Sequence, residues 1–330
     1  MVIKIHMEVW CWATLIFASA ISLLASGMLS AAECDQQRWK KHTVVDQTLG
    51  QVSSVLANDW GQDGSMDLIS SHGGGVHLYR GDQWVAKCIL QFADVRVAER
   101  KLRPSCIHSC LLDVDGDGDM DFIGSNSCVF LLLCPDKPFE QEWEFSVIDA
   151  ELSGTHCVVT GDLNGDGRPE LVANSGRAKG TNFPNSICFY EIPVSEEISQ
   201  PWSRSVFAEN DAPGGSHYMG VGDIDGDGMV DISAAAKGGA RHPGGEWFAW
   251  WQQGEDRYKP WTKHELSAAE PGATHLEPHD LNGDEVMDLV GTRGHGEGVL
   301  WFKGPAMDKR EIDPLMVKPH TLDVADIDRD

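Results

Sequence analysis

Short apolar runs separated by aspartate-rich turns organise this chain, and no stretch keeps a helical period. One set directly follows each turn: Leu68-Ile69, Phe122-Ile123, Leu171-Val172, Ile232 and Leu289-Val290. A run richer in aromatic and branched residues comes next, at Val76 to Tyr79, Val129 to Leu133, Ile187 to Ile192, Glu246 to Trp251 and Val299 to Phe302. A further segment opens on tryptophan at Trp84, Trp143, Trp202 and Trp261, while His156 to Gly161 and His217 to Gly222 lead into their turns. Each repeat thus predicts four short strands. Four-stranded units with periodic aromatics predict an all-β, bladed architecture.

The turns repeat one nine-residue template, fullest in DVDGDGDMD from Asp113 to Asp121. DWGQDGSMD (from Asp59), DLNGDGRPE (from Asp162), DIDGDGMVD (from Asp223) and DLNGDEVMD (from Asp280) align without gaps, and DIDRD starts a sixth copy at Asp326. Carboxylates or amides at positions 1, 3, 5 and 9 around a glycine form the oxygen-rich set that Ca²⁺ takes. First aspartates lie 46 to 61 residues apart, which fits blades of about 40 to 50 residues plus insertions. EF-hands are excluded, because their loop of about 12 residues lies between helices. Turn preference for Asp, Asn and Gly explains a single copy, but not five in register.

These ligand positions hold 20 of the 51 acidic residues and account for much of the net charge of −25. Bound cations would offset it, so the acidity does not require a basic partner; nucleic acid, which needs a basic footprint, is excluded. Residues 1–32 predict a signal peptide: Lys4 in a polar start, an apolar run from Val9 to Leu29, and Ser30-Ala31-Ala32 before a cut at Glu33. An uncleaved anchor is the competing reading; no other segment is apolar enough to cross a membrane. A secreted, periplasmic or cell-surface location follows, with 33–330 as the mature chain. Cys11 falls in the signal, and the other eight cysteines predict buried thiols plus one or two disulfides within repeats two and three.

On these loops the chain resembles the FG-GAP/VCBS repeats of integrin α-subunit heads and of secreted bacterial proteins, from Trp39 to Asp330. The resemblance implies a β-propeller of four-stranded blades, seven-bladed when complete, of which this chain carries about five and part of another. Trp39 to Val45 matches Trp261 to Leu266 and reads as a fourth strand closing the ring, so the chain reads as C-terminally incomplete. By position, the resemblance implies that Asp113, Asp115, Asp117 and Asp121 bind Ca²⁺ with the carbonyl of Asp119. The same role falls to Asp162, Asn164, Asp166 and Glu170; to Asp223, Asp225, Asp227 and Asp231; and to Asp280, Asn282, Asp284 and Asp288. It extends to Asp326, Asp328 and Asp330. Gly61 stands where the first loop needs a ligand, so Asp59, Asp63 and Asp67 should bind more weakly, and Glu285 replaces the turn glycine of the fifth loop.

Four-stranded blades put these loops on one face and the starts of the first strands on the other. The second face gathers His108, His156, His217, His275 and His320, with His72, Arg177, Lys179, Arg241, His242, Arg293 and His295 from the loops before third strands. Arg96, Arg100, Lys101 and Arg103 join them from a longer loop. About six residues of strand separate the faces by about 20 Å, so calcium has a structural role. His156, His217 and His320 each precede their loop aspartate by six residues, which points them alike toward the central channel, whereas His108 and His275 precede theirs by five, which reverses strand parity unless a bulge intervenes. Convergent imidazoles there suit Zn²⁺ with an open coordination position; the plainer alternative is that each histidine hydrogen-bonds the neighbouring blade. The inner histidines loosely resemble those of secreted carbohydrate lyases and sugar dehydratases. Hydrolase, kinase and dinucleotide motifs are missing, and SHGGG (Ser71 to Gly75) is a turn. The leading expectation is therefore a calcium-stabilised module that binds carbohydrate or an extracytoplasmic protein; the alternative is a metal-assisted lyase or sugar dehydratase.

Overall fold

Branched and aromatic residues in runs of four to seven favour strands buried on both faces, and twenty strands form among the described residues. The computed structural model describes residues 43–45, 50–97, 103–177, 181–194 and 197–325. The expected export segment 1–32, Cys34, Trp39, His42, Arg100, Lys101, Lys179, Asp326, Asp328 and Asp330 lie outside the described residues. The chain divides into units 1–47 and 48–330, and all twenty strands belong to the second.

Blade one comprises β1 (Ser54–Asn58), β2 (Asp67–His72), β3 (Gly75–Tyr79) and β4 (Ala86–Gln91). Blade two has β5 (Cys106–Leu112), β6 (Asp121–Asn126), β7 (Val129–Leu133) and β8 (Glu144–Asp149). Blade three follows with β9 (Val158–Gly161), β10 (Glu170–Asn174), β11 (Ile187–Tyr190) and β12 (Arg204–Ala208). Blade four is β13 (Ser216–Gly222), β14 (Asp231–Ala236), β15 (Trp247–Gln252) and β16 (Thr262–Ala268). Blade five is β17 (His275–His279), β18 (Asp288–Thr292), β19 (Glu297–Lys303) and β20 (Asp308–Val317). Each is an antiparallel meander in sequence order, the β-propeller blade. Fourth strands start one to two residues after the expected tryptophans. Trp143, Trp202 and Trp261 instead sit buried in the preceding turn, donating Nε1–H to the carbonyls of Pro138, Ile198 and Arg257.

Second strands are buried along their whole length, except for half-buried Asn126 at the end of β6, and in blades two to four neighbouring blades cover both faces. Phe122, Phe130 and Leu132 pack toward blade one against Ile69, Val76 and Leu78. Their alternating neighbours Ile123, Val129 and Leu131 pack toward blade three against Leu171, Ala173 and Tyr190. Full burial of each such side chain contributes about 1.5 to 3 kcal/mol. The same arrangement joins blades three and four and blades four and five.

First strands lie side by side around a channel of about 700 Å³ lined by β1, β5, β9, β13, β17 and Thr321 to Asp323. Cross-links fix their order: Ser54 with Ser109, Val158 N–H to His108 Nδ1 (3.3 Å), Met219 N–H to Cys157 Sγ (3.3 Å) and Tyr218 N–H to the Thr274 carbonyl (2.8 Å).

The expected disulfides do not form among the described residues. Cys88, Cys106, Cys110, Cys128, Cys134, Cys157 and Cys188 are free thiols. Most pack as small apolar residues in the clusters between blades, and burial pushes Cys106 up to about 11 and Cys157 and Cys188 up to about 12. Such thiols are unreactive.

Candidate functional site

Two ends of the strands hold the candidate groups. At the loop end, the first aspartate of each turn accepts successive backbone N–H groups. Asp113 takes Gly116 and Gly118 at 2.8 and 3.1 Å, and Asp223 takes Gly226 and Gly228 at 2.8 and 3.0 Å. The last acid is buried at the head of the second strand; Asp121 accepts from Val114 and Cys134, and Asp231 from Ile224 and Gln253. Glycines at the sixth position of the loop take φ of +83 to +94°, and Glu285 takes φ +62° in the fifth loop. An L side chain there is held in the strained left-handed region.

The five loops are not equivalent. In loops two and four, one carboxylate oxygen each from Asp113, Asp115 and Asp121, and from Asp223, Asp225 and Asp231, lies within 4.8 Å of the others. Burial, followed in each case by two neighbouring loop aspartates, pushes Asp121 and Asp231 up to about 7 against the backbone N–H bonds that favour their charge. Clustered carboxylates that resist ionisation are what a hard cation relieves, so these two donor sets fit Ca²⁺.

The other three loops have cations of their own. The cause lies at one register position, the residue after the third-strand partner of the first apolar residue of strand two. That residue is Arg80 in blade one and Lys303 in blade five, and these pair with Asp63 (3.9 Å) and Asp284 (2.6 Å). Lys303 holds Asp284 below the usual carboxylate range. In blades two and four the position is Leu133 and Gln252, and among the described residues no Lys or Arg pairs with an acid of either loop. Blade three has Glu191 there, and Arg257 from blade four bridges it to Glu170, at 2.7 Å from each. Asn164 also donates to Glu170 (2.8 Å), and Asn282 to Asp288 (2.9 Å).

At the opposite end the histidines divide by parity into two layers. Five residues before each loop stand Ser54, His108, Cys157, Tyr218 and His275, which face the channel. Tyr218 lies between His108 and His275, with ring centroids 5.1 and 5.4 Å away. His108 Nδ1 accepts from Val158 of the next blade, and His275 Nδ1 accepts from Leu322 (3.1 Å) while its Nε2 meets Glu277 (3.2 Å). Burial first, then the neighbouring His275, lowers His108 to about 4.

Six residues before their loops stand His156, His217 and His320, which, contrary to expectation, do not line the channel; the five-residue set does. His217 Nε2 lies 3.0 Å from His295 Nε2, and His320 Nε2 lies 3.2 Å from the same atom. His156 stays outside this group, with its ring stacked on His217 at 3.9 Å and its buried Nδ1 without a partner. Burial lowers His156 to about 3 and His217 to about 2, and partial desolvation at its ring, then His320 and Lys237, lowers the otherwise exposed His295 to about 4, so all three imidazoles are neutral at pH 7. Their charged neighbour is Lys237, itself lowered by burial.

Several expected members of this face are engaged elsewhere or apart. Arg293 is held by buried Glu270 at 2.5 Å. His72 belongs to blade one, bonded to Tyr79 (2.6 Å) and stacked on His77 (4.1 Å). Arg177 and Arg241 are exposed, and His242 flanks Gly215. Tyr218 and Lys237 were not among the expected residues. Tyr218 was available from the five-residue spacing it shares with His108 and His275; Lys237 carries no such signal.

Antiparallel blades around a common channel, with an aspartate loop after each first strand, define the class as a β-propeller of the aspartate-loop type. Two stretches of the chain carry FG-GAP-like repeats. The FG-GAP-like repeat model matches residues 113–173 and 223–291, stretches that begin at the two four-carboxylate loops. No curated protein matches the chain. Among solved structures, it is similar to an Agrocybe aegerita lectin that recognises non-reducing terminal N-acetylglucosamine, at 15% identity and TM-score 0.51, covering 85% of this chain and 73% of that one. A more distant likeness is to the V. cholerae biofilm matrix protein Bap1, at 14% identity and TM-score 0.34, covering 70% and 41%. The lectin likeness shows the fold alone. Among the described residues no helix is long and apolar enough to cross a membrane.

Proposed function

We propose that this protein is exported, is stabilised by calcium at its second and fourth loops, and binds a carbohydrate, or else another extracytoplasmic protein, at its channel. The channel carries this reading. Its volume of about 700 Å³ falls in the range of small-ligand sites. Tyr218, His108 and His275 offer ring faces to a sugar's C–H surface, and Glu277 offers an acceptor to its hydroxyls. A lectin shares the fold, and a sugar is the ligand class this lining fits.

In this reading Asp113, Asp115, Asp117 and Asp121, with Asp223, Asp225, Asp227 and Asp231, hold calcium, which removes the repulsion among them. Loops one, three and five bind it more weakly, because Arg80, Arg257 and Lys303 already supply positive charge. Residues 1–32 act as the export signal, and amino-terminal sequencing of the exported protein separates a cleaved signal from a retained anchor.

Glycan-array screening followed by titration calorimetry tests the channel. Tyr218→Ala should abolish binding of the retained glycan with calcium content unchanged. Equal affinity in that variant would put the ligand elsewhere and end the reading. Metal-assisted lyase or dehydratase chemistry on a sugar is the second reading, favoured by the convergence of His217, His295 and His320.

A further inference from the structure

The geometry points to a transition-metal site, suited to Zn²⁺, formed by the Nε2 atoms of His217, His295 and His320 at the channel end opposite the aspartate loops. The site stands under either functional reading and is independent of the loop calcium.

Proton placement is the first argument. His217 Nδ1 lies 2.8 Å from the carbonyl of Gly215, which only accepts, so Nδ1 carries the hydrogen and Nε2 is a bare lone pair. That lone pair faces His295 Nε2 at 3.0 Å, and His320 Nε2 faces the same nitrogen at 3.2 Å. If His295 Nε2 is protonated, its one hydrogen is shared between two lone pairs. If it is bare, it accepts from His320 and repels His217. Protons therefore satisfy at most one of the two contacts well, whereas a cation among three lone pairs satisfies all of them.

The dimensions agree. Ligands about 2.05 Å from a tetrahedral Zn²⁺ are about 3.3 Å apart, close to the 3.0 and 3.2 Å between these nitrogens. The surroundings are also those of a built site. The Nδ1–H bond to a backbone carbonyl fixes the tautomer a metal ligand needs, and the stacked ring of His156 fixes the plane of His217. His217 is buried, His320 half-buried and His295 exposed, so three ligands close one side and leave the other open to solvent. Imidazole donors favour Zn²⁺, Cu²⁺ or Ni²⁺ over the oxygen-seeking calcium of the loops. Lys237 adds positive potential, which selects an anionic fourth ligand such as hydroxide or a carboxylate.

The experiment titrates Zn²⁺ into the chelator-stripped full chain in millimolar calcium, and repeats the titration for His295→Ala, His320→Ala and His242→Ala. One Zn²⁺ per chain is expected, with affinity reduced at least about 100-fold in the first two variants and unchanged in the third. Co²⁺ in place of Zn²⁺ should give the visible absorption of a tetrahedral ion, lost in the same two variants. Because His295 is exposed, His295→Ala should keep the wild-type circular dichroism. No zinc binding, or equal binding in wild type and His295→Ala, overturns the site, while glycan affinity and calcium content remain to be judged on their own.

Discussion

The two ends of the blades solve opposite electrostatic problems. At the loop end, burial and mutual repulsion raise the acids Asp121 and Asp231; at the other end, desolvation lowers the imidazoles His156, His217 and His295. Both shifts favour the neutral group, and in both a bound cation would supply what protons do poorly. The chemistry of the donors would then sort the cations, hard ions to the oxygens and borderline ions to the nitrogens. Within the loop end a second contrast appears: among the described residues loops two and four lack a basic partner, whereas loops one, three and five are compensated by Arg80, Arg257 and Lys303.

The largest test of this division is calcium removal. Two sites filled at about 100 times Kd contribute about 5 kcal/mol, so EGTA should lower the melting temperature by about 10 °C or more. An unchanged calorimetric transition would refute calcium at loops two and four. Next in size is Arg257→Gln, which leaves the buried Glu170 carboxylate unpaired. A loss of about 3 kcal/mol is expected in EGTA, read by urea unfolding, with part of it recovered on adding calcium as loop three becomes a better site. Recovery of nothing would show that Arg257 does not stand in for a cation.

A smaller difference separates the loop classes directly. Asp115→Ala should cost about 2 to 3 kcal/mol in saturating calcium and little in EGTA, whereas Asp63→Ala should cost under about 1 kcal/mol in both. Equal calcium-dependent losses would erase the distinction. The imidazole end is probed by pH through His108. Its folded pKa of about 4 lies below the ordinary 6.5, so the unfolded chain binds the extra proton and stability falls as pH drops through that window. Between pH 7 and pH 5 this amounts to about 2 kcal/mol, and the stability difference between wild type and His108→Asn should narrow by that amount across the window.

Strand positions were legible because they depend on neighbours along the chain. Leu171-Val172 after its loop and Val129 to Leu133 as a third strand needed only local apolar runs, and β10 and β7 occupy those places. Loop shape was equally local. The counter-charges were not, since Arg257 reaches Glu170 from 87 residues away and from another blade. His295 meets His217 across 78 residues because a turn in blade five overhangs the first strand of blade four. Parity separated His108 and His275 from His217 and His320 but assigned the wrong set to the channel, which His108 and His275 line, and it could not show that His156 would stack instead of converge. The cysteines misled for a related reason: sequence spacing cannot distinguish partners in a bridge from thiols that fill gaps between blades.

Each hydrophobic cluster lies between two blades, so the segment of sequence that repeats and the core that stabilises it are offset by half a unit. Inserting one whole repeat adds a sheet and one new contact surface without redesigning any existing core. A gene built from such units can lengthen or shorten by tandem duplication and still encode surfaces that match, which leaves the loops at either end of the strands free to diverge.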